Sequence, residues 1–178
     1  MTDLAPKSLP VAQAAPATSF RGERTVDRHT QTIHASPDRI FPLICPVREA
    51  EWAQGWNGKP VFAASGFAEE NGVFATEHGG ENEPTIWLIT RRDPLAHETE
   101  FVYFIPGRQV VRLAIGIKPI GEDRSNVDIT YIRTGISDEG NAMVSQAQRS
   151  GAFEKTMKEW EDAMNHYLTT GRLLEATH

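Results

Sequence analysis

The chain has 178 residues, 39% of them hydrophobic, with a net charge of −6 and a pI near 5.5, a size that suits one domain plus a tail and buries roughly 70% of the surface an unfolded chain would expose. The acidic balance argues against nucleic acid and anionic lipid as partners, since both select for clustered Lys and Arg. No window reaches the roughly 18 apolar residues of a spanning helix, so no membrane insertion is expected, and the single cysteine, Cys45, leaves no internal disulfide or Cys-based zinc site and points to the reducing cytoplasm.

Residues 1–22 carry Pro6, Pro10 and Pro16 among Ala, Ser and Thr, too few large side chains to offset the entropy of ordering, and they are expected to form a disordered tail ahead of a domain at 23–178. The Ala-Gln-Ala run at 12–14 lacks the basic start and apolar stretch of a secretory signal. From Thr25 to His34 the β-branched, alternating pattern predicts a strand. Ser36 then caps a short helix with Pro37 in its first position, cut short by Pro42 and Pro46, and a second short helix is expected near Val47 to Gln54, stopping at Gly55.

Beyond Lys59 the hydrophobic period becomes two. Strands are expected near Pro60–Ser65, Gly72–His78, Pro84–Arg92, His97–Ile105, Gln109–Ile120 and Asn126–Gly135, separated by turn-rich segments such as Gly79-Gly80, Asp93-Pro94 and Pro106-Gly107. Links this short join antiparallel neighbours, because a parallel crossover needs about a dozen residues. A helix begins after Ser137, pauses at Ser150-Gly151, and gives way to a long amphipathic helix with Phe153, Met157, Trp160, Met164, Tyr167 and Leu168 on one face, ending at Gly171.

This order of elements, together with the apolar-x-Ala-Ser-Pro-x-x-Ile-Phe signature at Ile33, Ala35, Pro37, Ile40 and Phe41, the Cys-Pro-Val-Arg-Glu run at 45–49, Trp52, Trp56, the Ile-Trp pair at 86–87, Glu139-Gly140-Asn141 and Asn165-His166-Tyr167-Leu168, resembles the START-like superfamily, also called SRPBCC. The likeness runs from about Thr25 to Leu174 and is greatest to the polyketide cyclase/lipid transport-like bacterial members. It implies an α+β helix-grip fold, with a curved antiparallel sheet of about seven strands around a long C-terminal helix and two short helices after the first strand. Superfamily members include lipid carriers, plant hormone receptors, cyclases and co-chaperones, with a shared cavity but no common catalytic residues.

On this reading the sheet contributes Phe74, Trp87 and Tyr131 to a cavity wall, the last helix Phe153, Met157, Trp160 and Met164, and the short-helix region Trp52 and Trp56. The same side chains serve equally as ordinary core. The indole N–H groups of Trp52 and Trp56 are candidates to orient a polar ligand end. Glu49 and Glu51, beside these indoles, and His78 are the candidates for moving a proton, since a carboxyl buried against an indole is held neutral and acts as an acid. No histidine pair has metal-ligand spacing, no glycine loop cradles phosphate and no GxSxG elbow occurs, so neither a metal nor a cofactor is expected. Three functions remain open: binding or transport of a small hydrophobic or aromatic ligand, a cyclase/dehydratase-like enzyme, and a protein-interaction module of the co-chaperone kind. Homodimerisation is left open as well.

Overall fold

A computed structural model of the chain describes residues 20–77 and 84–175. Most of the expected tail, as well as His78 and the Gly79-Gly80 turn, lies outside these residues. Seven strands form one sheet: β1 (Arg24–Ile33), β2 (Lys59–Phe62), β3 (Val73–Thr76), β4 (Thr85–Asp93), β5 (Glu98–Ile105), β6 (Gln109–Gly121) and β7 (Arg124–Gly135). Their order is β1-β7-β6-β5-β4-β3-β2 and each pairing is antiparallel. The meander from β2 to β7 follows from the short links. What the links do not specify is that β1 docks beside β7, pairing Arg24 with Thr134 through to Ile33 with Ser125.

Alternation places Val111, Leu113, Ile115 and Ile117 of β6, Val127, Ile129 and Tyr131 of β7, Trp87 and Ile89 of β4, and Phe74 and Thr76 of β3 on the buried face. Helices α2 (Asp138–Ser150) and α3 (Ala152–Thr170) follow the sheet, divided at Gly151, whose φ of +64° is a left-handed conformation that glycine adopts without strain. Ser137 caps α2 as expected, its Oγ accepting from Gly140 N. Gly140 itself lies so close to the chain at Arg108 that a Cβ there would overlap the Arg108 carbonyl oxygen.

α3 packs its Met157 and Met164 face into the sheet and also finishes the outer edge of β1. Gln31 Nε2 donates to Met157 O (2.7 Å), Thr32 N to Glu161, Asn165 Nδ2 to Thr32 O (3.0 Å) and His34 N to Asn165 Oδ1 (2.8 Å). The backbone groups at the C-terminal end of this edge, at Thr32 and His34, are thereby satisfied within the fold. At the other end of β1, Asn141 accepts from Glu23 N (2.7 Å) and donates to Arg21 O (3.0 Å), tying the chain down at Arg21 and Glu23.

The two short helices depart from expectation in kind. α1 spans only Pro37–Ile40 and runs into a 3₁₀ turn at Phe41–Leu43. The expected helix at Val47–Gln54 is a 3₁₀ turn at Arg48–Glu51. Pro42 ends α1 after one turn, whereas the segment after Pro46 mixes bond types, with Glu49 N to Cys45 O and Ala53 N to Glu49 O spanning four residues and Trp52 N to Glu49 O spanning three. The change of period has consequences for the side chains that this segment presents.

Candidate ligand site

In a 3₁₀ turn, side chains three residues apart lie on one face. Glu49 and Trp52 are therefore both turned inward, 8% and 3% exposed, while Arg48 and Glu51 share the outer face. On that outer face Arg48 and Glu51 form a two-pronged ion pair (2.7 and 3.0 Å), and Glu51 also accepts the Tyr167 hydroxyl at 2.6 Å. The guanidinium beside it, followed by the tyrosine hydroxyl, holds the Glu51 carboxyl below the usual carboxylate range despite partial burial. Glu51 thus joins the turn to α3 through Arg48 and Tyr167.

Glu49 is the opposite case. Burial in an apolar interior pushes its carboxyl up to about 8, against the opposing charge of Arg92. Among the described residues its carboxyl has no hydrogen-bond partner. Arg92, whose charge acts on Glu49, places its hydrogen bonds on other groups: Nη1 donates to Ile44 O (2.7 Å), Nη2 to Phe41 O (2.9 Å), and the guanidinium stacks 3.7 Å from the centroid of Phe41. Burial lowers Arg92 to about 10. It straps the proline-broken segment onto the C-terminal end of β4.

Two small internal cavities lie between the sheet and α3, and Glu49 lines both. The first, about 20 Å³, is bounded by Gln31, Ile33, Ile115, Val127 and Ile129 from the sheet, Ile40, Ile44 and Trp52 from the short-helix region, and Trp160 and Met164 from α3. The second, about 10 Å³, lies among Pro46, Trp56, Trp87, Phe101, Leu113 and Trp160. A void of this size takes about one water molecule. The hollow expected from the sequence is thus largely filled by protein side chains in this conformation.

Trp160 has a third neighbour. Besides walling both cavities, its side chain lines an open surface groove of about 550 Å³ together with Ala53, Gln54, Glu159, Asp162, Ala163, Leu174 and Glu175. Trp160 thus borders both small cavities and the groove. It meets Trp52 edge-to-face, centroids 6.0 Å apart, and Trp56 meets Trp87 similarly at 5.7 Å.

Of the wall residues expected from the sequence, Trp52, Trp56, Trp87, Trp160 and Met164 line one or both cavities. Phe74, Tyr131, Phe153 and Met157 do not. Phe74 and Met157 are closed in the core, and Tyr131 packs edge-to-face on Phe153 with the Arg133 guanidinium over its ring. The expected role of the indole N–H groups also changes. Trp52 Nε1 donates to Leu43 O (3.0 Å), Trp56 Nε1 to Pro46 O (2.6 Å) and Trp87 Nε1 to Thr76 Oγ1 (2.9 Å), so these three rings have only their faces and edges left for a guest. His78 lies outside the described residues. Sequence reasoning missed Gln31, which shares the parity of the buried Ile33 on β1, and Phe101, which alternates inward on β5. Strand parity was the signal for both.

Several solved structures share this architecture. Norcoclaurine synthase from Thalictrum flavum superposes with a TM-score of 0.64 at 11% identity, covering 93% of this chain and 99% of that one. An aromatase/cyclase from Streptomyces sp. R1128 gives 0.61 at 10% identity, with 85% and 100% covered. The Mll3558 protein from Rhizobium loti gives 0.60 at 14% identity, with 82% and 98% covered. No family model matches the chain, and no curated protein matches it in sequence. Identities this low carry the fold alone.

Proposed function

Because the chain has the helix-grip fold of the START-like superfamily, we propose that it binds a small hydrophobic or aromatic molecule between the sheet and α3, with Trp52, Trp56, Trp87, Trp160 and Met164 as walls and Glu49 as the polar contact. The observation that carries this reading is Glu49. Its carboxyl is turned into the interior beside both cavities, where burial disfavours its charge, and such groups concentrate where a site uses them. Since the cavities hold only about one water each, the guest enters by displacing the Trp160 indole, which joins the interior to the outer groove. Affinity is reduced by the fraction of molecules in that open state. Burying about 300 Å² of apolar ligand surface supplies roughly 7 kcal/mol before that cost.

A second reading has its own support. A carboxyl held near 8 is suited to donate or take a proton near neutral pH, and this favours a cyclase- or dehydratase-like enzyme in which Glu49 is the acid or base. In either reading the lone, buried Cys45 fits a reducing compartment, and we place the protein in the cytoplasm.

All four tryptophans line the cavities, so intrinsic fluorescence reports occupancy directly. Titration of the wild type and Trp160→Ala with fatty acids, polyketide-like aromatics and flavonoid-like rings is expected to change the emission with at least one class, and more strongly in the opened variant. No change in either protein across all three classes refutes the proposal.

A further inference from the structure

A further concavity shares no lining residue with the two cavities. It is an open groove of about 490 Å³, walled by Phe41, Pro42, Phe67 and Pro94, and the charged side chains that line it are Arg48 and Arg92, with no acid. Its volume lies within the range of roughly 300 to 1,000 Å³ of small-molecule sites, which neither cavity reaches. Going beyond the cavity proposal, we infer that this groove is a second ligand site for a small organic anion, a carboxylate with an aromatic or alkyl tail, its acid group on Arg92 and its tail against Phe41 and Phe67.

The two arginines differ. Arg48 is balanced by Glu51, which accepts from both Nε and Nη2. Arg92 forms no ion pair among the described residues. It gives two N–H groups to the carbonyls of Ile44 and Phe41, out of the five that a guanidinium carries, and its plane lies against the Phe41 ring. A planar cation fixed in this way, with donors to spare beside an apolar wall, is suited to receive a carboxylate. The surrounding acids do not take that place. Asp93 accepts from Leu95 N and Ala96 N, Glu69 from Ala64 N and Ser65 N, and Asp38 is paired with His97, whose ring packs on Phe41.

Two acids act on Arg92 through their charge, Cys45 and Glu49. The Cys45 sulfur accepts from Ala68 N (3.2 Å). Glu49 keeps its proton near neutral pH, because burial raises it to about 8, so in that range its carboxyl does not balance the guanidinium. An anion on Arg92 and an ionised Glu49 draw on the same positive charge. Affinity for the anion is therefore highest below the Glu49 value and falls as pH rises through it, where binding draws a proton onto Glu49. Tyr131, which acts on Glu49 from β7, stays neutral throughout, since burial pushes its phenol well above the ordinary value. From α3 the cavities beside Glu49 receive Trp160 and Met164, neither of which titrates, and the Tyr167 hydroxyl is bonded to Glu51.

The test is calorimetric titration of the full chain with 3-phenylpropionate and its neutral isostere 3-phenylpropanamide at pH 6.5 and pH 9, using wild type, Arg92→Met, Phe67→Ala, Glu49→Gln and Trp160→Ala. In wild type at pH 6.5 the carboxylate is expected to bind about tenfold tighter than the amide or better, and its affinity to fall about threefold or more at pH 9. Arg92→Met removes the preference. Phe67→Ala, at a position 53% exposed, keeps the fold and weakens both probes about threefold. Glu49→Gln keeps the preference and loses the fall with pH, and the comparison with wild type cancels His97, which both proteins share. Trp160→Ala leaves both affinities within about twofold. Equal binding of the two probes, binding of neither at millimolar concentration, or a preference that survives in Arg92→Met overturns the anion site. If Arg92→Met does not fold, Phe67→Ala and Glu49→Gln decide: carboxylate affinity unchanged in the first, or a pH profile in wild type as flat as in the second, overturns it. Sensitivity to Trp160→Ala with indifference to Phe67→Ala places the carboxylate in the interior, which overturns the groove site and leaves the cavity proposal standing.

Discussion

Replacing Glu49 by Gln separates the electrostatic content of the site from its shape. In the unfolded chain this carboxyl titrates near 4.5 and in the folded protein near 8. Between those values the folded state binds the extra proton, so stability falls as pH rises through this window and the whole loss is reached above the folded value. At 1.36 kcal/mol per tenfold change in proton affinity, the loss from pH 4 to pH 9 amounts to about 5 kcal/mol, of which about 3 kcal/mol is already incurred at pH 7. Glutamine has the same shape and no charge. At pH 4.5 the variant is expected to match the wild type or fall about 1 kcal/mol below it, through an amide that lacks a partner. At pH 9 it is expected to exceed the wild type by several kcal/mol. Urea unfolding followed by tryptophan emission at pH 4.5, 7 and 9 measures this, and taking the difference between the two proteins cancels the histidines and surface acids they share. Parallel stability profiles for wild type and variant would refute the claim that Glu49 is desolvated and unpaired.

Other perturbations test the scaffold around the site. Arg92→Lys keeps the charge but loses the fork that reaches Ile44 O and Phe41 O together and the stacking on Phe41, and is expected to cost about 2 kcal/mol in urea unfolding; a cost below about 0.5 kcal/mol would contradict the strap. Gly140→Ala drives a methyl group into the Arg108 carbonyl oxygen and is expected to lose about 3 kcal/mol or to fail to fold, seen as a lowered Tm or loss of soluble protein. Asn141→Ala removes two bonds to the segment at Arg21–Glu23; about 1 to 2 kcal/mol of stability and the exchange protection of the Glu23 amide should be lost together. The Tyr103 phenol, pushed up to about 12 by burial, should stay protonated in a spectrophotometric titration until well above the range of an exposed tyrosine.

Local chemistry carried much of this molecule. Turn residues at intervals of about ten predicted the β2–β7 meander, and the 3.6-residue stripe located α3 and Trp160 on its apolar face. Ser137 and Gly151 behave as their own conformational preferences require. Glu49 and Glu51 were equivalent at that level, two acids beside two indoles.

Only the folded chain told them apart. The 3₁₀ turn at Arg48–Glu51 points Glu49 inward with Trp52 and Glu51 outward to meet Arg48 and Tyr167. The indole N–H groups found acceptors at Leu43, Pro46 and Thr76, and packing between Trp160 and the sheet reduced a broad hollow to two spaces the size of a water molecule. Hydrophobic period and turn chemistry act over a few neighbours and can be read along the chain. Burial of one particular carboxyl, and the volume left beside it, depend on side chains brought together from positions 31, 49, 87 and 160, and a linear sequence does not place those next to one another.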